Sequence, residues 1–135
     1  MGLAERRAAK EFQDKNFPKL QEEINKHAGF PVPLEVNWEQ LTVDEASSYY
    51  VEAWTEIFFK PLIEGLRTIG RDAMGKEALK SGLKKVEFRN SKDTANPASA
   101  ITFDNGTLVI DHKLANVGDT AERTKTLVEI VEKAL

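Results

Sequence analysis

Residues 44–71, DEASSYYVEAWTEIFFKPLIEGLRTIGR, constrain the fold more than any other stretch of the chain. They hold Tyr49, Tyr50, Trp54, Ile57, Phe58, Phe59, Leu62, Ile63, Leu66 and Ile69, while the charges Glu52, Glu56, Lys60 and Glu64 recur at every fourth position. Helical spacing stacks those charges into one narrow polar stripe and leaves nearly all the rest of the cylinder apolar. A helix with so little wet surface has to be covered on several sides, so it is expected to be the hub of the core. Pro61 lacks the N–H that would bond the Ile57 carbonyl, and is expected to kink or split the helix.

The stretches around the hub read as a mixture of helices and short strands. Residues 3–28 carry a helical pattern with Phe12, Leu20 and Ile24 near one face. Asn16-Phe17-Pro18 interrupts it, which predicts a kinked or broken helix, and Gly29 supplies the stop. Residues 34–38, Leu-Glu-Val-Asn-Trp, alternate like a half-buried strand, and Pro31 and Pro33 just before them suggest an edge position. Thr42-Val43-Asp44-Glu45 has the form of a capping box that would start the hub helix. Asp72 can cap a shorter helix over residues 73–81, ended by Gly82 in a left-handed turn. Residues 85–89 alternate again, with Val86 and Phe88 inward, and residues 90–97 form a polar loop.

Asn105-Gly106 is the pair that a type I′ hairpin turn selects, because both central residues need positive φ. A two-residue turn there sets Phe103 opposite Leu108 and Ile101 opposite Ile110. Asp119-Thr120-Ala121-Glu122 resembles a second capping box, opening a helix with Leu127, Ile130, Val131 and Leu135 inward. The order is α-β-α-α-β-β-β-α. Because every strand alternates, the expected fold is α+β: a two-layer sandwich with a mostly antiparallel four-stranded sheet and helices packed on one face.

At 135 residues the chain fits a single α+β domain spanning 1–135, long enough to bury a core without staples. It contains no cysteine, which excludes disulfides, thiolate metal sites and a cysteine nucleophile. The charged N-terminus has no secretory h-region, and the hub is too charged for a membrane span, so a cytoplasmic protein with no membrane partner is expected. The net charge of −3 conceals an asymmetry. Residues 66–92 hold eight Lys and Arg against three Asp and Glu, a local +5 that leaves −8 elsewhere. Lys76, Lys80, Lys84 and Lys85 in that region are candidate anion or nucleic-acid contacts. The order helix, three strands, helix over residues 72–135 is similar to that of double-stranded-RNA-binding domains. However, Asp119 and Glu122 stand where a basic cluster would be needed, which argues against nucleic acid.

No catalytic motif emerges. The glycines at 65, 70, 75 and 82 do not form a phosphate loop, and His27 and His112 have no histidine at ligand spacing, so no cofactor or metal is expected. Asp111-His112 is a candidate polar site, although neighbours on a strand point to opposite faces. The leading expectation is a non-enzymatic protein–protein interaction module, with a homodimer as one form of it. Its candidate surface is Tyr49, Tyr50, Phe58 and Phe59, hub residues that a four-stranded sheet alone would not cover. The alternatives are a small-ligand-binding protein or enzyme with a pocket between helices and sheet, and nucleic-acid binding through the basic 66–92 region.

Overall fold

The computed structural model describes residues 2–135. Helix α1 (Leu3–Lys15) ends at Asn16 and α2 (Phe17–Ala28) begins at once with Pro18 in its first turn, so the N-terminal helix is broken as its sequence predicts. Gly29, at φ 86°, closes α2. Strand β1 (Leu34–Val36) is shorter than its pattern, because the chain turns into the single helical turn α3 (Trp38–Leu41), capped by the Asn37 side chain. That turn removes the expected capping box. The Thr42 hydroxyl donates back to the Trp38 carbonyl instead of receiving from Glu45, and Glu45 itself adopts φ 63°.

The hub follows as a 3-10 turn (Ser47–Tyr49), helix α4 (Tyr50–Trp54), one π turn (Thr55–Phe59) and helix α5 (Lys60–Ile69). The chain widens into a π turn just before Pro61, and the α-helix resumes through the proline. The Lys60 N–H bonds the Thr55 carbonyl, five residues back. In that register the N–H of residue 61 would serve Glu56, and proline has none. The Glu56 carbonyl is left for another donor.

Asp72 caps α6 (Ala73–Gly82) through Gly75 N–H at 2.8 Å, as its position predicts. Gly82 is the last helical residue rather than a left-handed stop, and Leu83 takes the cap position in an extended conformation. Strand β2 (Lys85–Arg89), the short helix α7 (Pro97–Ala100), the hairpin β3 (Ile101–Asp104) and β4 (Thr107–Asp111), and helix α8 (Thr120–Ala134) complete the order. The hairpin register is the predicted one, Phe103 opposite Leu108 and Ile101 opposite Ile110. Gly106 sits at φ 82°, and a side chain there would also strike the Lys84 stem 2.5 Å away. Asp119 precedes α8 without a side-chain capping bond, so the second capping box is absent as well.

The sheet order is β1-β2-β4-β3, with β1–β2 and β2–β4 parallel and only β3–β4 antiparallel. The expectation of a mostly antiparallel sheet is thus corrected. The segment between β1 and β2 contains the hub, and a helical crossover of that kind returns a chain parallel to where it began. The strands alternate all the same because only one face is deeply buried. Val86, Phe88, Leu108 and Ile110 lie inward, while Lys85, Glu87, Arg89, Thr107 and Val109 are half-exposed on the other side. The open side carries an ion ladder: Lys85 holds Glu35 at 2.6 Å across the β1–β2 pair, and Arg89 holds Glu87 at 2.6 Å. The helix, three strands, helix order is present, but β2 and β3 are not neighbours, so no simple meander forms.

The core is aromatic at its centre. Phe12 packs edge-on to Trp54 at 5.0 Å, Phe17 meets Trp38 and Phe59, Phe59 meets Phe88, and Tyr50 stacks on Trp54 at 4.4 Å. The hub is covered by the sheet on one side and by α1 and α2 on another.

Candidate functional site

Apart from exposed Val51 and Arg67 and half-exposed Thr55 and Ile63, what the hub leaves open is a single line. Glu52, Lys60 and Thr68 are exposed and Glu56 and Glu64 half-exposed, while Ala53, Trp54, Ile57, Phe58, Phe59, Pro61, Leu62, Gly65, Leu66 and Ile69 are buried. The predicted polar stripe is the solvent line of the hub, and it crosses the π turn unbroken, since Lys60 and Glu56 still approach to 3.7 Å.

Three hollows follow that line in succession. The first, about 350 Å³, lies among Ala46, Tyr49, Glu52, Ala53, Leu114 and Val117. The second, about 760 Å³, has Glu56, Lys60, Glu64 and Thr68 along one wall and Gly118, Thr120, Ala121, Thr124, Lys125, Val128 and Glu129 along the other. The third, about 620 Å³, shares Glu64 and Thr68 and adds His27, Arg67, Gly70, Arg71 and Lys76. The third opens off the Glu64–Thr68 end, between the hub, α2 and α6, and the first two form a furrow between the hub and the chain running from Leu114 into α8. From Tyr49 to Thr68 its floor is about 28 Å long at the helical rise. The α5–α8 walls come close because residue 65 is glycine; a Cβ there would lie 2.6 Å from the Leu127 side chain.

The furrow's shape is fixed from beneath by Arg123, a residue that sequence reasoning did not single out. Arg123 is fully buried, and its guanidinium donates to the carbonyls of Asn116 at 2.8 Å, Val117 at 2.6 Å and Glu56 at 3.2 Å. The Thr120 hydroxyl also reaches the Glu56 carbonyl at 3.0 Å and its carboxylate at 2.6 Å. The carbonyl freed by the π turn and Pro61 thereby becomes the anchor of the 116–120 loop and of the start of α8. Burial pulls the Arg123 pKa down, opposed by Asp119 and Glu56. The signal for Arg123 was its phase: it lies four residues before Leu127 and eight before Val131, both buried.

The candidate surface residues separate. Tyr49 is 63% exposed, but Tyr50 is 1% exposed and Phe58 and Phe59 are 0%. Those three are core, not surface: Phe58 packs on Phe88 of the sheet, Phe59 on Phe88 and on Phe12 of α1 and Phe17 of α2, and Tyr50 stacks on Trp54. Burial raises the Tyr50 pKa, with Glu5 and Asp44 adding to it, and its hydroxyl donates to the Val43 carbonyl. Among the four candidate lysines, Lys76 lines the third hollow and Lys85 is committed to Glu35 on the open side of the sheet, which raises its pKa. Lys80 and Lys84 are exposed outside the hollow.

Asp111 and His112 are both buried and serve different ends. The Asp111 carboxylate receives the Ser91 N–H at 2.7 Å, the Ser91 hydroxyl and the Lys92 N–H at 3.0 Å, so it pins the loop after β2. Burial works to raise its pKa, but those donors outweigh it and hold the carboxyl below its ordinary value. His112 turns the other way, pairing Nδ1 with the Lys113 carbonyl and leaving Nε2 without a hydrogen bond. Burial lowers its pKa, and the nearby Arg123 charge adds to that. Nothing here orients one group on the other for catalysis. His112 is fully buried and lines none of the three hollows.

Among the described residues no group of three His, Cys, Asp or Glu is placed to hold a metal ion, and no helix is long and apolar enough to cross a membrane. No family model, curated protein or solved structure matches the chain.

Proposed function

We propose that the chain is a non-enzymatic cytoplasmic protein–protein interaction module, and that the open line of the hub from Tyr49 to Thr68 is its contact surface. In this reading the molecule is a two-layer α+β sandwich whose helical layer does the binding. The observation that carries it is the furrow itself: the most apolar helix of the chain is buried over most of its surface, and its charged line lies in a trough with exposed Tyr49 at its head. Tyrosine is among the residues that anchor interfaces, and a long trough with small side chains on one wall suits an incoming amphipathic helix.

A second copy of this chain is the partner of simplest chemistry. Glu56, Lys60 and Glu64 alternate in sign, so an antiparallel two-fold pairing can set carboxylates against ammonium groups. Sedimentation velocity over a wide concentration range tests this form, with Ala121→Arg as the control. Residue 121 is exposed and lines the furrow, so arginine there should block association without touching the core. Concentration-dependent association that Ala121→Arg abolishes supports the second copy; a chain that stays monomeric throughout removes it.

A further inference from the structure

The third hollow has a chemistry of its own. Arg67, Arg71 and Lys76 face one carboxylate, Glu64, on a chain whose net charge is −3. Local pairing does not use these cations up. Arg67 meets Glu64 only at 3.5 Å, and Arg71 meets Glu132 only at 3.5 Å, between side chains that are 40–65% exposed. Contacts so long and so wet hold little and leave the side chains free to turn toward a better acceptor. In both arginines Nη1 alone is engaged, that of Arg71 also donating to the Thr68 carbonyl at 2.7 Å. Among the described residues the Nε–Nη2 edge of each guanidinium has no protein partner, and Lys76 makes no ion pair. That edge is the planar fork that matches two oxygens of a phosphate group.

We propose that this basin binds a small phosphate-bearing ligand of diphosphate character. The two guanidinium forks, Arg67 in the last turn of α5 and Arg71 in the turn that follows Gly70, would take adjacent phosphate groups, and Lys76 on α6 would close over them. The hollow, about 620 Å³, falls in the range of small-ligand pockets. A nucleic-acid backbone is the weaker candidate, because the basic residues do not form a continuous ridge: Lys80 and Lys84 lie outside the basin and Lys85 is bonded to Glu35. Glu64 opposes the ligand from within. The proposal stands independently of whether the furrow binds a protein.

Isothermal titration of the full chain with inorganic pyrophosphate at low ionic strength tests it. One-to-one binding is expected, weakened about tenfold or more by Arg67→Gln and by Lys76→Gln, a loss worth about 1.4 kcal/mol. Binding should tighten in Glu64→Gln and stay unchanged in Lys80→Gln and Lys84→Gln. Residues 67 and 76 are exposed, and urea midpoints equal to wild type establish that these variants remain folded. The proposal is overturned by absence of binding, or by equal losses at Lys80 and Lys84, which mean diffuse attraction. Tighter, salt-sensitive binding of a short duplex RNA than of pyrophosphate also overturns it, in favour of a backbone-tracking surface.

Discussion

Replacing Arg123 with methionine removes the side chain that ties α8 and the loop before it to the π turn of the hub. Three carbonyls lose a donor, and they are not equally exposed to the loss. The Asn116 carbonyl keeps the Asp119 N–H at 3.0 Å and the Glu56 carbonyl keeps the Thr120 hydroxyl at 3.0 Å. The Val117 carbonyl gives up a 2.6 Å bond and keeps only a 3.5 Å contact with Thr120. One nearly orphaned acceptor and two lost charge-assisted bonds cost about 3–5 kcal/mol. Removing a buried cation with an unpartnered Nε returns part of that, so a net loss of about 2 kcal/mol is expected. Urea unfolding followed by tryptophan fluorescence measures it.

The sharper test adds Pro61→Ala, which restores an N–H positioned to reach the Glu56 carbonyl in the five-residue register. If that carbonyl is the anchor, Arg123→Met should cost about 1 kcal/mol less on the alanine background, within the range of coupling energies for residues sharing a partner. Strict additivity of the two substitutions, or an Arg123→Met protein as stable as wild type, would refute the account of the anchor.

Three other outcomes follow from the same contacts. His112 is buried with its pKa lowered, so the unfolded chain takes up a proton first; the stabilisation is complete above the ordinary histidine value of about 6.5 and is lost as pH falls from there toward the folded value. Urea midpoints should drop between about pH 7 and 5 in wild type and be flatter in His112→Gln, and identical slopes would show that another group titrates. Asp111→Ala should cost about 2–4 kcal/mol and expose the Ser91 and Lys92 amides to hydrogen exchange. Its contribution is present above the ordinary carboxyl value and lost as pH falls through the lowered folded one, so unchanged amide protection in the alanine variant would contradict the pinning role. Gly106→Ala combines positive φ with the clash at Lys84, so a loss above about 1 kcal/mol is expected in thermal unfolding, and a neutral effect would mean that the turn readily rearranges.

Local chemistry was readable in the sequence and pairing at a distance was not. The Asn105-Gly106 turn fixed the hairpin register because every determinant lies within ten residues. The break at Asn16, the Gly29 stop and the Asp72 cap are of the same kind. Strand neighbours are set by where the long crossover returns, and alternation in β2 and β4 could not distinguish a parallel sheet with one open side from an antiparallel one. The crossover was the better clue, since a hub helix between β1 and β2 already implies parallel pairing. The Thr42 box failed because Trp38 was read as the end of a strand, whereas it opens a helical turn whose carbonyl claims the threonine. At the candidate site, the solvent stripe was legible from spacing, whereas nothing in the spacing separated exposed Tyr49 from the other three hub aromatics. The burial of Tyr50, Phe58 and Phe59 was not, because it depends on tertiary docking, Phe58 against Phe88 of the sheet and Phe59 between the sheet and Phe12 and Phe17 of α1 and α2.

The contact surface itself is tested most directly by placing a photo-cross-linking amino acid at single positions of the chain and illuminating it in the cells that make it. Positions 49, 60 and 124 line the furrow; positions 10 and 39 are exposed away from it. The account predicts one shared cross-linked species from the three furrow positions, lost when Ala121→Arg is added, and none from the other two. Cross-links that form equally at positions 10 and 39, or that survive Ala121→Arg, would contradict it.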